Sequence, residues 1–485
     1  MADRIRRLGK ETAVYGVSTI VGRFLTFLLT PLYTHLLPTA ELGVVATVYA
    51  YIALLNVVYG YGMESAFMKY VSTLELGDRR QVFSVPMISV TTSSLVFSGI
   101  LWAGAPIFSG LIGLSPAMET LVRYAAAILL LDALALIPFA ALRMEHKAKR
   151  FATIKILGIL INVLANVWLL IGLDWGIEGV FVAGVISSAA TLVLLVPTIV
   201  GRLGLVWKGG LYRELLRFGL PYVPSGMASM MIQVIDRPIL ESLKGAGAVG
   251  VYQANYRLGI FMMLLVSMYD FAWRPFFLSH ASDPDARQLF ARVMTYFVLL
   301  SSAVFLLLSF FLGDFVRLPI FFGTSLIAEP YWGGLGIVPV VLLAYLFLGI
   351  YNNLMAGVYI EKRTYLLPLV TGVGAVVNVV VNYLLIPSLD LMGAALATLA
   401  SYSVMAALLY VLVQRFYRVP YEGTRLAKIA IASAGVYLAA LTLPAGAALV
   451  PAKAALFLLF LLLMWVLRFF TPEERAGMRR LLRRS

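Results

Sequence analysis

The chain has no cysteine and only three histidines in 485 residues. Without cysteine there is no disulfide, no thiolate metal site and no thiol nucleophile. His35, His146 and His280 lie far apart and form no metal-ligand motif, so they read as interfacial filler. Charge is scarce too. Only 13% of residues are Asp, Glu, Lys or Arg, against about 25% in an ordinary soluble domain. What fills the space is apolar: 61% of the chain is hydrophobic. A soluble core of this length cannot hide that much apolar surface, which leaves hydrocarbon as the solvent and makes the chain an all-α polytopic membrane protein.

A bilayer core about 30 Å thick needs about 20 mostly apolar residues per helix. Candidate spans lie at roughly 11–36, 42–62, 82–105, 119–142, 151–172, 177–200, 214–243, 248–273, 288–313, 333–360, 364–387, 391–414, 426–444 and 449–468, about fourteen in all. The basic opening MADRIRRLGK runs directly into the first of these without a small-residue cleavage site, so it reads as an uncleaved helix that also targets the chain.

Lysine and arginine orient the spans. With the N-terminus inside, the inner loops and ends hold most of the chain's 38 basic residues, among them Arg79, Arg80, Lys147, Lys149, Arg202, Lys208, Lys362 and Arg363, and Arg468 to Arg484 in the tail. The outer loops hold Lys244, Arg317 and Lys453. A missed helix would invert every later loop, so the asymmetry supports an even count with both termini cytoplasmic. The net charge of +14 is therefore a membrane pattern and not a nucleic-acid footprint. All loops are short, which argues against a membrane glycosyltransferase or polymerase. There is no P-loop, and the GVG at Gly372 to Gly374 sits inside an apolar span without a flanking strand. The segment from Glu64 to Gln81 mixes charged and apolar residues and reads as an amphipathic helix on the inner surface.

The chain repeats itself. Asn162-Val-Leu-Ala-Asn166 in the fifth span leads into WLLI and then GIEGVFVAGVIS. Asn378-Val-Val-Val-Asn382 in the eleventh leads into YLLI and then LMGAALATLAS. A second echo pairs LLPTAELGVVATVYA, from Leu36, with LKGAGAVGVYQANYR, from Leu243. An offset of six spans is even, so the copies insert in the same orientation, as parallel repeats do. The expectation is an N-terminal lobe over 1–213, a C-terminal lobe over 214–420, and helices 13 and 14 with a basic tail over 421–485, the two lobes facing a cleft.

Polar residues interrupt the apolar spans. Tyr15, Thr19, Arg23, Thr26, Thr30 and Tyr33 recur at helical spacing on one face of the first span. Arg23 lies about 18 Å into it at 1.5 Å per residue, too deep to snorkel. It faces either a water-filled cavity or a buried acid such as Asp132. The seventh span carries Tyr222, Ser225, Ser229, Asp236 and Arg237, and the eighth Gln253, Asn255 and Arg257. Arg257 is a deep cavity candidate; Arg237 is nearer the surface and either lines the cavity or snorkels, the default for Arg123 and Lys155. Asp132 and Asp236 carry a coupling proton or sodium ion, or neutralise an arginine. As helix neighbours, Asp236 and Arg237 are expected to find partners on other helices. Cations with tyrosines and amides suit an anionic, hydroxyl-rich cargo, because guanidinium grips phosphate through paired hydrogen bonds; a cavity for lipophilic cations would carry net acid.

From the first helix through LLPTAELGVVATVYAYIALLNVVYGYGMESAFMKYVS, and again at NYLLIPSLDLMGAALATLASYS, the chain resembles the polysaccharide flippases of Gram-negative O-antigen (lipopolysaccharide) pathways. These belong to the multidrug, oligosaccharidyl-lipid and polysaccharide exporter superfamily, and the resemblance covers residues 5 to 470. It implies a two-lobed, alternating-access flippase in the bacterial inner membrane that moves undecaprenyl-pyrophosphate-linked oligosaccharide to the outer leaflet. No cofactor is implied; energy would come from a proton or sodium gradient or the membrane potential. Membrane lipids and polysaccharide polymerase or ligase proteins are the implied partners, and nucleic acid is not. Arg23, Arg237 and Arg257 match the cationic positions of the family's first, seventh and eighth helices, with Tyr15, Thr19, Thr26, Thr30 and Asn255 lining the same cavity. Helices 13 and 14 also resemble those of peptidoglycan-precursor flippases. The alternatives are a cation-coupled multidrug exporter or peptidoglycan-precursor flippase of the same superfamily and, from another class, a membrane enzyme acting on lipid-linked sugars through Asp314, Glu329 or Asp390.

Overall fold

The computed structural model describes residues 16, 18, 20–75, 77–204, 206–319, 323–442, 450–470 and 474. Among them there is no β-strand, and ten helices are long and apolar enough to cross a bilayer. One of these, Leu366–Phe416, has 51 residues. At 1.5 Å per residue it would measure about 76 Å if straight, more than two bilayer cores. It bends at Asp390, whose φ of 49° and ψ of −127° leave the helical region, so it supplies the eleventh and twelfth spans. The remaining spans come from three other stretches. The first is helical from Ile20 onward, the seventh is broken into Tyr222–Val234 and Asp236–Lys244, and the fourteenth is the shorter Val450–Val466. Fourteen spans follow, and the chain is a multi-pass membrane protein.

Between the second and third spans lies Met63–Thr73, which buries Met63, Ala66, Phe67 and Tyr70 along one face. That is the apolar stripe of an amphipathic helix. Arg79–Ala103 then starts with a reciprocal cap: Asp78 accepts from the Gln81 amide at 2.8 Å, and the Gln81 side chain accepts from the Asp78 amide at 3.4 Å.

Both sequence echoes have structural counterparts. Asn166 donates to the Asn162 carbonyl at 2.8 Å, and Asn382 to that of Asn378 at 2.8 Å. Ser187 donates to the Gly158 carbonyl at 2.8 Å, and Ser401 to that of Gly374 at 2.7 Å. The first copy has one more residue before its Leu-Leu-Ile, and its helix takes a π-helical turn at Trp168–Gly172. A π-turn absorbs one extra residue while the helix axis continues. Each copy then leaves the helix through an aspartate at positive φ, Asp174 at 53° and Asp390 at 49°.

The other echo forms a reciprocal contact. A Cβ on Gly43 would lie 1.8 Å from the Ala246 carbonyl oxygen, and one on Gly250 would lie 1.9 Å from that of Thr39. Gly43 and Gly250 hold the same place in the echo, as do Thr39 and Ala246. The helices Thr39–Gly60 and Ala246–Tyr256 therefore cross about a local two-fold, with backbone against backbone where only glycine fits.

The chain forms two compact units. The larger comprises Met1–Ile260, Ile327–Ile337 and Leu367–Val404. The smaller comprises Phe261–Leu326, Val338–Leu366 and Met405–Ser485. The units cut across the repeat, and the larger contains both copies of each echo. The smaller is packed on aromatic rings: Trp273 meets Phe290 edge-on at 5.3 Å, and Tyr269 lies 4.2 Å from Phe297. In the same unit Arg425 is clamped by Glu422 at 3.0 Å and Glu474 at 3.1 Å.

Candidate functional site

The seventh span breaks at Ile235, and Asp236 and Arg237 open the next helix. The Arg237 amide, a first-turn donor without an intrahelical partner, donates to Asp236 Oδ1 at 3.0 Å. That turns the carboxylate toward its neighbour, and Arg237 Nη1 donates to the same oxygen at 2.6 Å. The expectation that these two residues must find partners on other helices is thereby corrected. It assumed a continuous helix, and the break removes the geometry it relied on. The pair does reach a second helix as well. Tyr252 donates to Asp236 Oδ2 at 2.5 Å, and Arg237 Nε donates to Gln253 Oε1 at 3.0 Å. The Tyr256 ring lies under the guanidinium at 4.4 Å. Asp236 is 1% exposed and Arg237 6%, so neither snorkels.

Arg257 sits where the eighth span tightens into a 3-10 turn, Arg257–Gly259, between the α-helices Ala246–Tyr256 and Ile260–Ser279. Such a turn inside a span often marks a hinge, and the boundary between the compact units falls just after it, at Ile260. Arg257 donates to the Thr30 hydroxyl at a long 3.4 Å and lies 5.8 Å from the Tyr33 ring. Arg237 is near enough to oppose its charge, and no carboxylate among the described residues pairs with it. Both arginines, with Gln253, line a cavity of about 130 Å³ together with Leu42, Ala46 and Tyr49. That is room for about four waters at ~30 Å³ each, or for one phosphate group with its nearest waters.

The other predicted site residues fall into three groups. Tyr15 and Thr19 lie outside the described residues. Arg23 and Thr26 are helical and exposed, Thr26 donating to the Gly22 carbonyl at 2.9 Å, and neither lines the arginine cavity. Thr30 is buried against Arg257. Asn255 points elsewhere: it donates to the Tyr331 carbonyl at 2.7 Å and to that of Val251 at 2.8 Å, which pins the 327–337 segment. Asp132 accepts from Ser188 at 2.7 Å, with Lys155 as its cationic neighbour. Lys155 also lies 4.6 Å from the Phe139 ring. Tyr33, from the first-span stripe, donates to Asn166 at 2.8 Å and so joins that stripe to the repeated asparagine pair.

Sequence reasoning missed Tyr49, Tyr252, Tyr256 and Glu241. A signal for two of them was present, because Tyr49 and Tyr256 hold the same place in the second echo and both reach the arginines. No group of metal-binding side chains occurs among the described residues.

Among solved structures, the lipid II flippase MurJ in an inward closed conformation aligns at TM-score 0.76 with 15% identity, over 94% of this chain and 98% of that one. An inward-facing multidrug resistance MATE family transporter of the MOP superfamily aligns at 0.65 with 15% identity, over 81% and 94%. A point mutant of the Vibrio cholerae MATE transporter VcmN aligns at 0.62 with 13% identity, over 85% and 97%. At these identities the likeness establishes the fold. Among curated proteins, none matches the chain significantly. Residues 8–281, more than half of the sequence, match the family described as polysaccharide biosynthesis protein. With that match, the chain belongs to the polysaccharide biosynthesis protein family.

Proposed function

We propose that the protein is an alternating-access flippase that carries a lipid-linked oligosaccharide, through its phosphate head, from the cytoplasmic to the outer leaflet of the bacterial inner membrane. The observation that carries this reading is the pair of guanidiniums at one intramembrane cavity. Arg237 is balanced by Asp236, whereas Arg257 has no carboxylate partner among the described residues. A cation at that depth costs about 2.5–3.5 kcal/mol on insertion scales, and an anionic cargo offsets that cost when bound. A diphosphate presents oxygens to both arginines and to the Gln253 amide, while the lipid tail stays in hydrocarbon and sugar hydroxyls meet the tyrosines. Arg23, on the exposed face of the first helix, is a further contact for the sugar or phosphate, together with Tyr15, Thr19, Thr26 and Thr30. The termini lie in the cytoplasm on the lysine and arginine asymmetry. The protein does no covalent chemistry. The 1–213 and 214–420 lobes are the bodies that alternate. Asp132 beside Ser188 and Lys155 remains a place for ion coupling; Asp236, accepting from Arg237 and Tyr252 together, serves as counter-ion.

The test is binding of inorganic pyrophosphate to the purified full-length protein, combined with transfer of a lipid-diphosphate sugar across reconstituted vesicles. Arg257→Ala is expected to lower pyrophosphate affinity at least tenfold and to abolish transfer while the protein stays folded. Retained affinity in that variant, or wild-type uptake of lipophilic cations in place of the anion, would overturn the reading. In cells, Arg23→Ala is expected to remove surface polysaccharide without removing protein from the membrane.

A further inference from the structure

Among the described residues, no lysine or arginine pairs with the carboxylate of Glu241. Glu241 lies on the Asp236–Lys244 helix, one turn beyond Arg237, and faces Thr47 of the Thr39–Gly60 helix. Its Oε2 is buried without a hydrogen-bond partner, and so is Thr47 Oγ1. The Tyr51 phenol, one turn further along the Thr39–Gly60 helix, lies near enough to feel the carboxylate. The nearby cations are committed elsewhere. Lys244 pairs with Asp390 and donates to the Pro387 carbonyl at 3.0 Å. Arg237 is held by Asp236, Gln253 and the Gln233 carbonyl.

With no cation to pair it, a carboxylate whose Oε2 is shut away from water favours the neutral acid. The neutral acid can give its O–H to the Thr47 hydroxyl as well as accept from it, so one proton lets the facing groups pair without leaving a charge between the two helices. We propose that Glu241 is a proton-binding site that joins the Thr39–Gly60 and Asp236–Lys244 helices. The carboxylate takes one proton from water as the helices close and returns it when they part and water reaches the oxygen. Nothing is oxidised or reduced. The site lies at the helix ends clasped by Gly43 and Gly250, so proton occupancy and closure of those ends are linked. That linkage matters for transport only on the alternating-access reading above, whereas the proton site stands without it.

Infrared spectroscopy of the purified full-length protein tests the site directly. At neutral pH, the carbonyl band of a protonated carboxylic acid is expected in the wild type and lost in Glu241→Gln, which preserves the shape of the side chain. Raising the pH should remove the same band. A spectrum unchanged by Glu241→Gln overturns the proposal. The natural absence of cysteine allows a second measurement. A Cβ on Gly247 would lie 3.7 Å from Thr39 Oγ1, so Thr39→Cys with Gly247→Cys reports closure by crosslinking. Yield should fall with rising pH when Glu241 is present, relative to the same pair in Glu241→Gln. Equal pH dependence in both backgrounds overturns the linkage. Neither result depends on pyrophosphate binding, so loss of the flippase reading and loss of this one can be told apart.

Discussion

Replacing Asp236 with asparagine would leave the Arg237 guanidinium buried without its counter-ion. Breaking a buried pair from one side destabilises by about 3–5 kcal/mol. Asp236→Asn is therefore expected to lower the thermal unfolding midpoint in detergent sharply. The paired change Asp236→Leu with Arg237→Met removes both charges and should recover most of that stability while pyrophosphate binding stays weak. If the double variant bound pyrophosphate as the wild type does, Arg237 would not be part of the site. A surface pair at a loop gives a pH dependence of known sign. Hydrogen bonding from Arg202, with a smaller contribution from Lys147, holds the Glu145 carboxyl down to about 2. The stability from this contact is complete above the ordinary value of 4.5 and is lost as pH falls from there through about 2. Removing Arg202 should flatten that part of the pH–stability curve, as Arg202→Gln would show by thermal denaturation from about pH 5 down to about pH 2. Legibility at this scale followed chemistry. A guanidinium deep in an apolar run stands out in sequence, as Arg257 did. A tyrosine such as Tyr49 or Tyr252 does not, because the same residue at the same spacing also suits a lipid-facing or packed surface. Glu241 was hidden by its distance from Lys244: counted along the chain it looks interfacial.

At the scale of helices, the glycine crossing is the most exacting feature. Gly43→Ala and Gly250→Ala each put a methyl into a backbone carbonyl of the opposite helix, which no rotamer can relieve. Overpacking of this kind costs about 1–3 kcal/mol, and the strain can be relieved only by moving the helices apart. The Thr39→Cys and Gly247→Cys pair should therefore crosslink less in either alanine background. Undiminished crosslinking would show that the two helices meet elsewhere. The echo from Leu36 and Leu243 was readable as a repeat, since it preserves the identity and spacing of residues. Its consequence was not, because a repeat says that two segments are alike without saying that they touch. Breaks in helices were signalled more weakly. In the order Gln233-Val-Ile-Asp-Arg-Pro the one sign of a break at Ile235 is Pro238, which has no N–H for the Val234 carbonyl and falls in the first turn of the new helix, where that loss costs nothing.

For the whole molecule, span count and composition were legible because hydrocarbon thickness sets helix length almost independently of packing. The compact units were not legible, because they depend on which helices pack together, and the boundary runs through the middle of the eighth span at Ile260. Orientation rests on the distribution of lysine and arginine, and it makes a prediction for every loop at once. The natural lack of cysteine means each loop can be tested with a single introduced thiol and a membrane-impermeant maleimide. Ser115→Cys and Ser388→Cys, both exposed, should label from outside intact cells. Ser282→Cys and Thr364→Cys, also exposed, should label only after the membrane is opened. In chain order these four positions follow the third, eighth, tenth and eleventh spans and should read outside, inside, inside and outside. One missed or invented span between any two of them would put the later sites on the wrong face. Labelling of Ser282→Cys from outside would therefore break the even count, and with it the direction in which the arginine cavity must deliver its cargo.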